Sequence, residues 1–162
     1  MPFCLRLMIA SLIVALGGGP ALALSCMRPD VATSYVSAAQ SKDAYLVVLG
    51  ELRHDIPPIE NDLSKETPSL GVAGKFVGKS LSNAEFAQSV DLDIQMNLTC
   101  ASVWCARLPA QKEQVLAFLK HTAQGYVLDL GPCDLWMFRD PTPEQVNRVL
   151  SCNNGDDCKP GQ

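Results

Sequence analysis

Residues Val90 to Cys105, VDLDIQMNLTCASVWC, decide how the rest of the chain is read. Val90, Leu92, Ile94, Met96 and Leu98 alternate with Asp91, Asp93, Gln95, Asn97 and Thr99. Side chains on a strand point to opposite faces with a period of two, so five apolar groups share one face and five polar groups the other. A helix would scatter the same residues around its circumference. The strand runs directly into Cys100 and Cys105, so a sheet element ends at a covalent staple.

Working outward, strands come before and after it. Ala44 to Leu52, AYLVVLGEL, is rich in β-formers and too apolar to be half exposed, which places it as a central strand. Leu70 to Leu81 carries glycines at 71, 74 and 78; glycine inside a strand marks a bulge or a sharp bend, as at the corner of a small barrel. Ser82 to Ala87 reads as a turn or short helical connection. Gln114 to His121 and Gly125 to Leu130 read as a hairpin around Thr122 to Gly125. Arg53 to Ser69, with three prolines and mixed charge, is a long loop. Asp134 to Phe138 supplies the packing aromatics Trp136 and Phe138.

Helices flank the strands. Asp30 can cap one over Pro29 to Ala39, with Val31, Tyr35, Ala38 and Ala39 on one side. Thr142 as N-cap, Pro143 at the first helical position and Gln145 three residues on form a capping-box signature, with Val146, Val149 and Leu150 as the buried stripe. Bent strands with helices at both ends predict a mainly β fold, a small antiparallel OB-type barrel with a C-terminal helix.

The N-terminus reads as a targeting segment. Arg6 precedes the apolar run Leu7 to Leu16, which is too short to span a bilayer, and Gly17 to Pro20 break it. Ala21-Leu22-Ala23 then places small residues for a signal peptidase, giving a signal peptide over 1–23, one domain over 24–158 and a loose tail over 159–162. Ala23-Leu24-Ser25 offers a second cut that would make Cys26 the first residue. Ala23-Leu24-Ser25-Cys26 also approximates a bacterial lipobox, with alanine where leucine normally stands.

Of the 7 cysteines, Cys4 leaves with the signal, and the remaining six are Cys26, Cys100, Cys105, Cys133, Cys152 and Cys158. An even count in an exported chain reads as three disulfides, with 15 connectivities open. Pairing near neighbours gives Cys100–Cys105 and Cys152–Cys158, and leaves Cys26–Cys133. Lipidation of Cys26 would strand one thiol, which counts against an anchor there.

The pattern also narrows the function. The full chain carries 13 basic and 17 acidic residues, a formal charge of −4, and no basic patch, so it suits neither nucleic acid nor anionic lipid. Metal and cofactor sites are not expected. His54 and His121 lack ligand spacing. Asp91 and Asp93 share a strand face and could hold a cation, though a solvated face explains them. Cys100 and Cys105 are too far apart for a thioredoxin-type motif. Asn97-Leu98-Thr99 is a glycosylation sequon.

A cysteine near the mature N-terminus, YLVVLGEL, a glycine-broken strand, AFLKHTAQGYVLDLGPCDLW and the helix TPEQVNRVL ending at Cys152 resemble the netrin-like domain, a family that includes the tissue inhibitors of metalloproteinases. The resemblance covers about Cys26 to Cys152. It implies a five-stranded OB-type barrel, with disulfides joining the N-terminal segment to the strands and to the C-terminal helix; carried over, it pairs Cys26 with Cys133. The inhibitors chelate a protease zinc through a free N-terminal cysteine, with a second cysteine two residues later. Here that second position is Arg28. The expectation is an exported (periplasmic or extracellular), non-enzymatic binding or inhibitor-like module, with Cys26 and the loop at 53–69 at its working edge. Its partner would be an exported or envelope protein. The alternatives are a lipid-anchored structural envelope protein and a thiol oxidoreductase using Cys100 and Cys105.

Overall fold

A computed structural model describes Cys26 and residues 30–57, 70–101, 104–156 and 158–161. The expected signal peptide, Arg28 and most of the loop at 53–69 lie outside the described residues. In chain order the elements are α1 (Val31–Gln40), β1 (Tyr45–Arg53), β2 (Leu70–Ser82), β3 (Glu85–Leu98), β4 (Cys100–Ala101), β5 (Trp104–Cys105), β6 (Gln114–Thr122), β7 (Gly125–Leu130), β8 (Met137–Arg139) and α2 (Pro143–Asn153). Among the described residues, no helix is long and apolar enough to cross a membrane.

The main sheet runs β1-β2-β3-β7-β6-β8, and β1 also pairs with β6. Five strands therefore close into a ring, with β8 alongside β6. The seam between β6 and β7 covers only Lys120↔Val127, His121↔Tyr126 and Thr122↔Gly125, because β8 occupies the edge of β6 at Val115 to Ala117. The result is a partly open OB-type barrel. Its ladders are antiparallel except β3–β7, which is parallel from Ile94↔Tyr126 to Leu98↔Leu130. A parallel pair needs a long crossover, and the chain supplies one through β4, β5 and β6.

β1 and β6 read as apolar throughout because both of their faces are covered. Val48 and Leu52 of β1 and Val115, Ala117 and Leu119 of β6 fill the barrel with Phe76, Ile94, Met96, Leu98, Leu128 and Leu130. The alternate residues Val47, Leu116 and Phe118 pack outward against Val31 of α1 and Val149 of α2. Trp136 seals this outer layer, stacked on Tyr45 at 4.8 Å between ring centroids. On β3, Ile94, Met96 and Leu98 are buried while Asp91, Asp93 and Gln95 are exposed, as the alternation dictates.

Several boundaries differ from expectation. β3 begins at Glu85, because Asn83 and Ala84 turn the chain in two residues with φ of 46° and 78°; Ser82 to Ala87 is mostly strand. The register slip in β2 falls between Ser80 and Leu81, not at a glycine. Gly50 and Gly78 instead lie opposite each other where β1 and β2 approach too closely for a Cβ. β8 is a strand that the aromatic cluster at Trp136 and Phe138 concealed. Ala39 faces solvent, and α1 buries Ala32 and Ser34 beside Val31.

Both helix starts follow their sequence signals. Asp30 accepts from Ala32 N at 3.1 Å. Thr142 and Gln145 form the reciprocal capping box. The cysteines pair as Cys26–Cys133, Cys100–Cys105 and Cys152–Cys158. The N-terminal segment and the C-terminal helix are thus joined by packing, with Tyr35 Oη donating to Asn153 Oδ1, and not by a disulfide. The stretch after Cys158, expected to be loose, is tied in two places: Arg148 donates to the Lys159 carbonyl at 2.7 Å, and Gly161 N donates to Asp30 Oδ2 at 2.8 Å.

Candidate functional site

One end of the barrel is formed by the exit of β1, the loop between β5 and β6, and the exit of β8. A cleft of ~780 Å³ opens there between residues 54–57 and 106–113. Ile56, Pro57, Ala106, Leu108 and Pro109 give it an apolar floor. Its volume lies within the ordinary range for small-molecule or side-chain pockets, about 300–1,000 Å³.

His54 holds its two walls together. Its Nδ1 accepts from Ile56 N at 3.3 Å, its Nε2 sits 3.2 Å from the Pro109 carbonyl, and its own carbonyl accepts from Gln111 Nε2 at 3.1 Å. With both ring nitrogens engaged by backbone, His54 acts as a clamp and not as a metal ligand. His121, at the other end of β6, packs its ring against Tyr126.

Beside the cleft runs a smaller groove of ~240 Å³, lined by Cys26, Trp104, Cys105, Pro132 and Asp134. Arg107 and Arg139 line both the cleft and the groove, so the two are neighbouring parts of one surface. The chain puts these groups here by unrelated routes. Trp104 sits in the hairpin closed by Cys100–Cys105, and the residue is 51% exposed. Asp134 follows Cys133 in a segment that Ser34 of α1 anchors by a short hydrogen bond from its buried hydroxyl to the Leu135 carbonyl. Arg139 ends β8, whose neighbour Asp140 donates its N–H to the Gln114 carbonyl at 2.8 Å.

Asp134 is the unusual group. Its Oδ1 is buried and accepts no hydrogen bond among the described residues. Burial pushes its carboxyl above the ordinary carboxylate value, against the opposing pull of Arg139 and Arg107. A buried acceptor without a donor costs about 1–3 kcal/mol, a local cost carried by the fold at this end of the barrel.

The remaining sequence candidates fall elsewhere. Asp91 and Asp93 do share a face of β3, but the cation between them is Lys75, whose Nζ lies 2.7 Å from Asp91 and 3.1 Å from Asp93. With Asp93 90% exposed, this is a solvated ion cluster. Asn97 donates to Asp129 at 2.7 Å, and Asp129 pairs with Lys120 at 3.0 Å. Cys100 and Cys105 face each other directly across the β4–β5 hairpin. Among the described residues, no cluster of three or more His, Cys, Asp or Glu could hold a metal ion.

Cys26 and residues 54–57 come to the same barrel end, on either side of the two arginines. Sequence reasoning missed Trp104, Arg107, Asp134 and Arg139. The only signals for them were an aromatic inside a short cysteine loop and a carboxylate beside a cysteine. Compared with known proteins, the chain matches no family model, no curated protein and no solved structure.

Proposed function

We propose that the chain is an exported, non-enzymatic binding module, similar to netrin-like domains, that presents this barrel end to another exported or envelope protein. The observation that carries the reading is the shared rim: Arg107 and Arg139 border both cavities, between residues 54–57 and the Cys26–Cys133 bridge. Binding sites concentrate on loops held by a rigid scaffold, and here the scaffold is a barrel stapled by three disulfides. A Cys26 sulfur bonded to Cys133 is not available for a thioether lipid, which favours a module that works unanchored.

Site-specific photo-crosslinking in the producing cells tests the reading. A photoreactive residue replacing the exposed Gln111, on the rim of the cleft, is expected to give a discrete adduct with one exported protein; the same residue at Ser89, on the far hairpin, is expected to give none. Adducts of equal strength at both positions, or at neither, would overturn it. Insulin-reduction activity by the purified chain would instead support thiol chemistry at Cys100 and Cys105.

A further inference from the structure

The donors left open at the barrel end describe what would complete them. Several other described cations are already engaged. Arg53 pairs with Glu51, Lys75 with Asp91 and Asp93, Lys120 with Asp129, and Arg148 with the Lys159 carbonyl. Arg107 and Arg139 make no hydrogen bond or ion pair among the described residues, although the chain has an acidic excess. Both sit on one rim, beside an exposed tryptophan. Each guanidinium offers a planar fork of donors matched to a carboxylate. Arginine and tryptophan are also the residue types that most often dominate protein interfaces.

Asp134 narrows the ligand further. It lines the same groove and already attracts both arginines, so one carboxylate against two guanidinium groups leaves room for a singly charged ligand and disfavours a multiply charged phosphate or a polynucleotide. A peptide carrying an acidic side chain supplies a carboxylate for the arginines. The adjoining apolar cleft takes a neighbouring apolar side chain. Asp55 and Glu113 also line that cleft, Glu113 being bonded to Ala110 N, so its far wall is acidic and a carboxylate is directed to the arginine rim.

We infer that the groove recognises a peptide segment of its partner through an acidic side chain held between Arg107 and Arg139, with an adjacent apolar side chain seated in the cleft. The inference rests on the binding-module reading and names the chemistry of the partner.

Fluorescence polarisation with three pools of acetylated, amidated heptapeptides tests it. Each pool has randomised apolar and small residues around a central Glu, Gln or Lys. The Glu pool is expected to bind at least tenfold more tightly than the other two, and to weaken as salt is raised. In the Arg107→Gln/Arg139→Gln double variant the preference for Glu is expected to disappear. A Lys42→Gln/Lys79→Gln variant, which removes two cations elsewhere, is expected to keep it. Trp104→Ala is expected to weaken binding without altering the far-UV circular dichroism. Equal binding of the three pools, no binding below millimolar concentration, or binding indifferent to the arginine substitutions would overturn the inference. So would a Gln pool with a free C-terminus that binds as tightly as the Glu pool, which would assign the arginines to a chain terminus. If photo-crosslinking at Gln111 yields a partner while the peptides fail, the module reading stands and only the acidic segment falls.

Discussion

Replacing Gly78 by alanine tests the geometry that shapes the barrel. A Cβ at Gly78 would lie 2.3 Å from the Leu49 carbonyl oxygen and 2.6 Å from Gly50 Cα. A Cβ at Gly50 would lie 2.2 Å from the Val77 carbonyl oxygen and 2.6 Å from Gly78 Cα. These neighbours are backbone, so no rotamer change relieves the clash; β1 and β2 must part by about 1 Å to reach ordinary contact. Parting them weakens one or two ladder bonds, at about 1 kcal/mol each, and adds overpacking strain of about 1–3 kcal/mol. Lower unfolded-state entropy returns about 0.5–1 kcal/mol. The expected net loss is about 3 kcal/mol for Gly78→Ala or Gly50→Ala, or roughly 8 °C in Tm for a chain of this length. The double variant should cost well under the sum, since one separation of the strands relieves both clashes. Gly71→Ala is the control: its Cβ would meet only the end of the Gln95 side chain, at 3.0 Å, and should change stability by less than 1 kcal/mol. Urea unfolding of the oxidised protein, followed by tryptophan fluorescence, measures all four. A Gly78→Ala loss no larger than that of Gly71→Ala would refute the close approach of β1 and β2.

Three further outcomes follow from the same structure. Removing Cys26–Cys133, which spans 107 residues, should cost about 5 kcal/mol in the chain-entropy model, and removing Cys152–Cys158, which spans 6, about 2 kcal/mol; paired serine variants and urea midpoints compare them. Thr142→Ala should cost about 1 kcal/mol in a thermal melt by removing one half of the capping box, while Thr142→Ser should be nearly silent. Asp30 and Asp134 should give pH profiles of opposite sign. Burial resists ionisation of Asp30, but N–H donors from Gly161 and Ala32 outweigh it and hold the carboxyl below 3.8, so its contribution is present above that value and lost as pH falls through the lowered one. Burial raises Asp134, so its contribution is present below 3.8 and lost as pH rises through the raised value. Asp30→Asn should therefore melt below wild type at pH 7 and Asp134→Asn above it, and both should converge on wild type in acid.

Elements whose signal is local were legible in the sequence. The alternation in β3 and the turn between β6 and β7 are set by neighbours in the chain, and so is the capping box of α2. The start of β3 was not legible, because its hairpin turns on Asn83 and Ala84, and alanine with positive φ lacks the usual asparagine-glycine signature. β8 was hidden because three residues are too few to show a period. The parallel ladder between β3 and β7 is a property of the topology, which no stretch of either strand encodes. The groove was illegible for a related reason. Trp104, Arg107, Asp134 and Arg139 come from three segments, and nothing in their spacing brings them together before the barrel closes. Asp91 and Asp93, by contrast, were easy to see as a pair, yet Lys75 on the facing strand already satisfies them.

The placement of the disulfides connects the stability of the fold to the candidate site. Cys26 and Cys105 line the groove, and Cys133 is the residue before Asp134. Two of the three bridges therefore tie segments at this end that have little ladder pairing of their own. Trp104 lies in a two-stranded hairpin separate from the main sheet, and Asp134 lies between β7 and β8. Without covalent ties these segments would sample many arrangements, and ordering them on binding would cost about 0.5–1.5 kcal/mol for each immobilised side chain. The bridges reduce that cost before a partner arrives. They also keep Asp134 in a position where one carboxyl oxygen, Oδ1, is buried without a donor, an arrangement that an untethered segment would relax by turning the group to water. The unfavourable local term at Asp134 is thus held in place by the same bonds that stabilise the barrel.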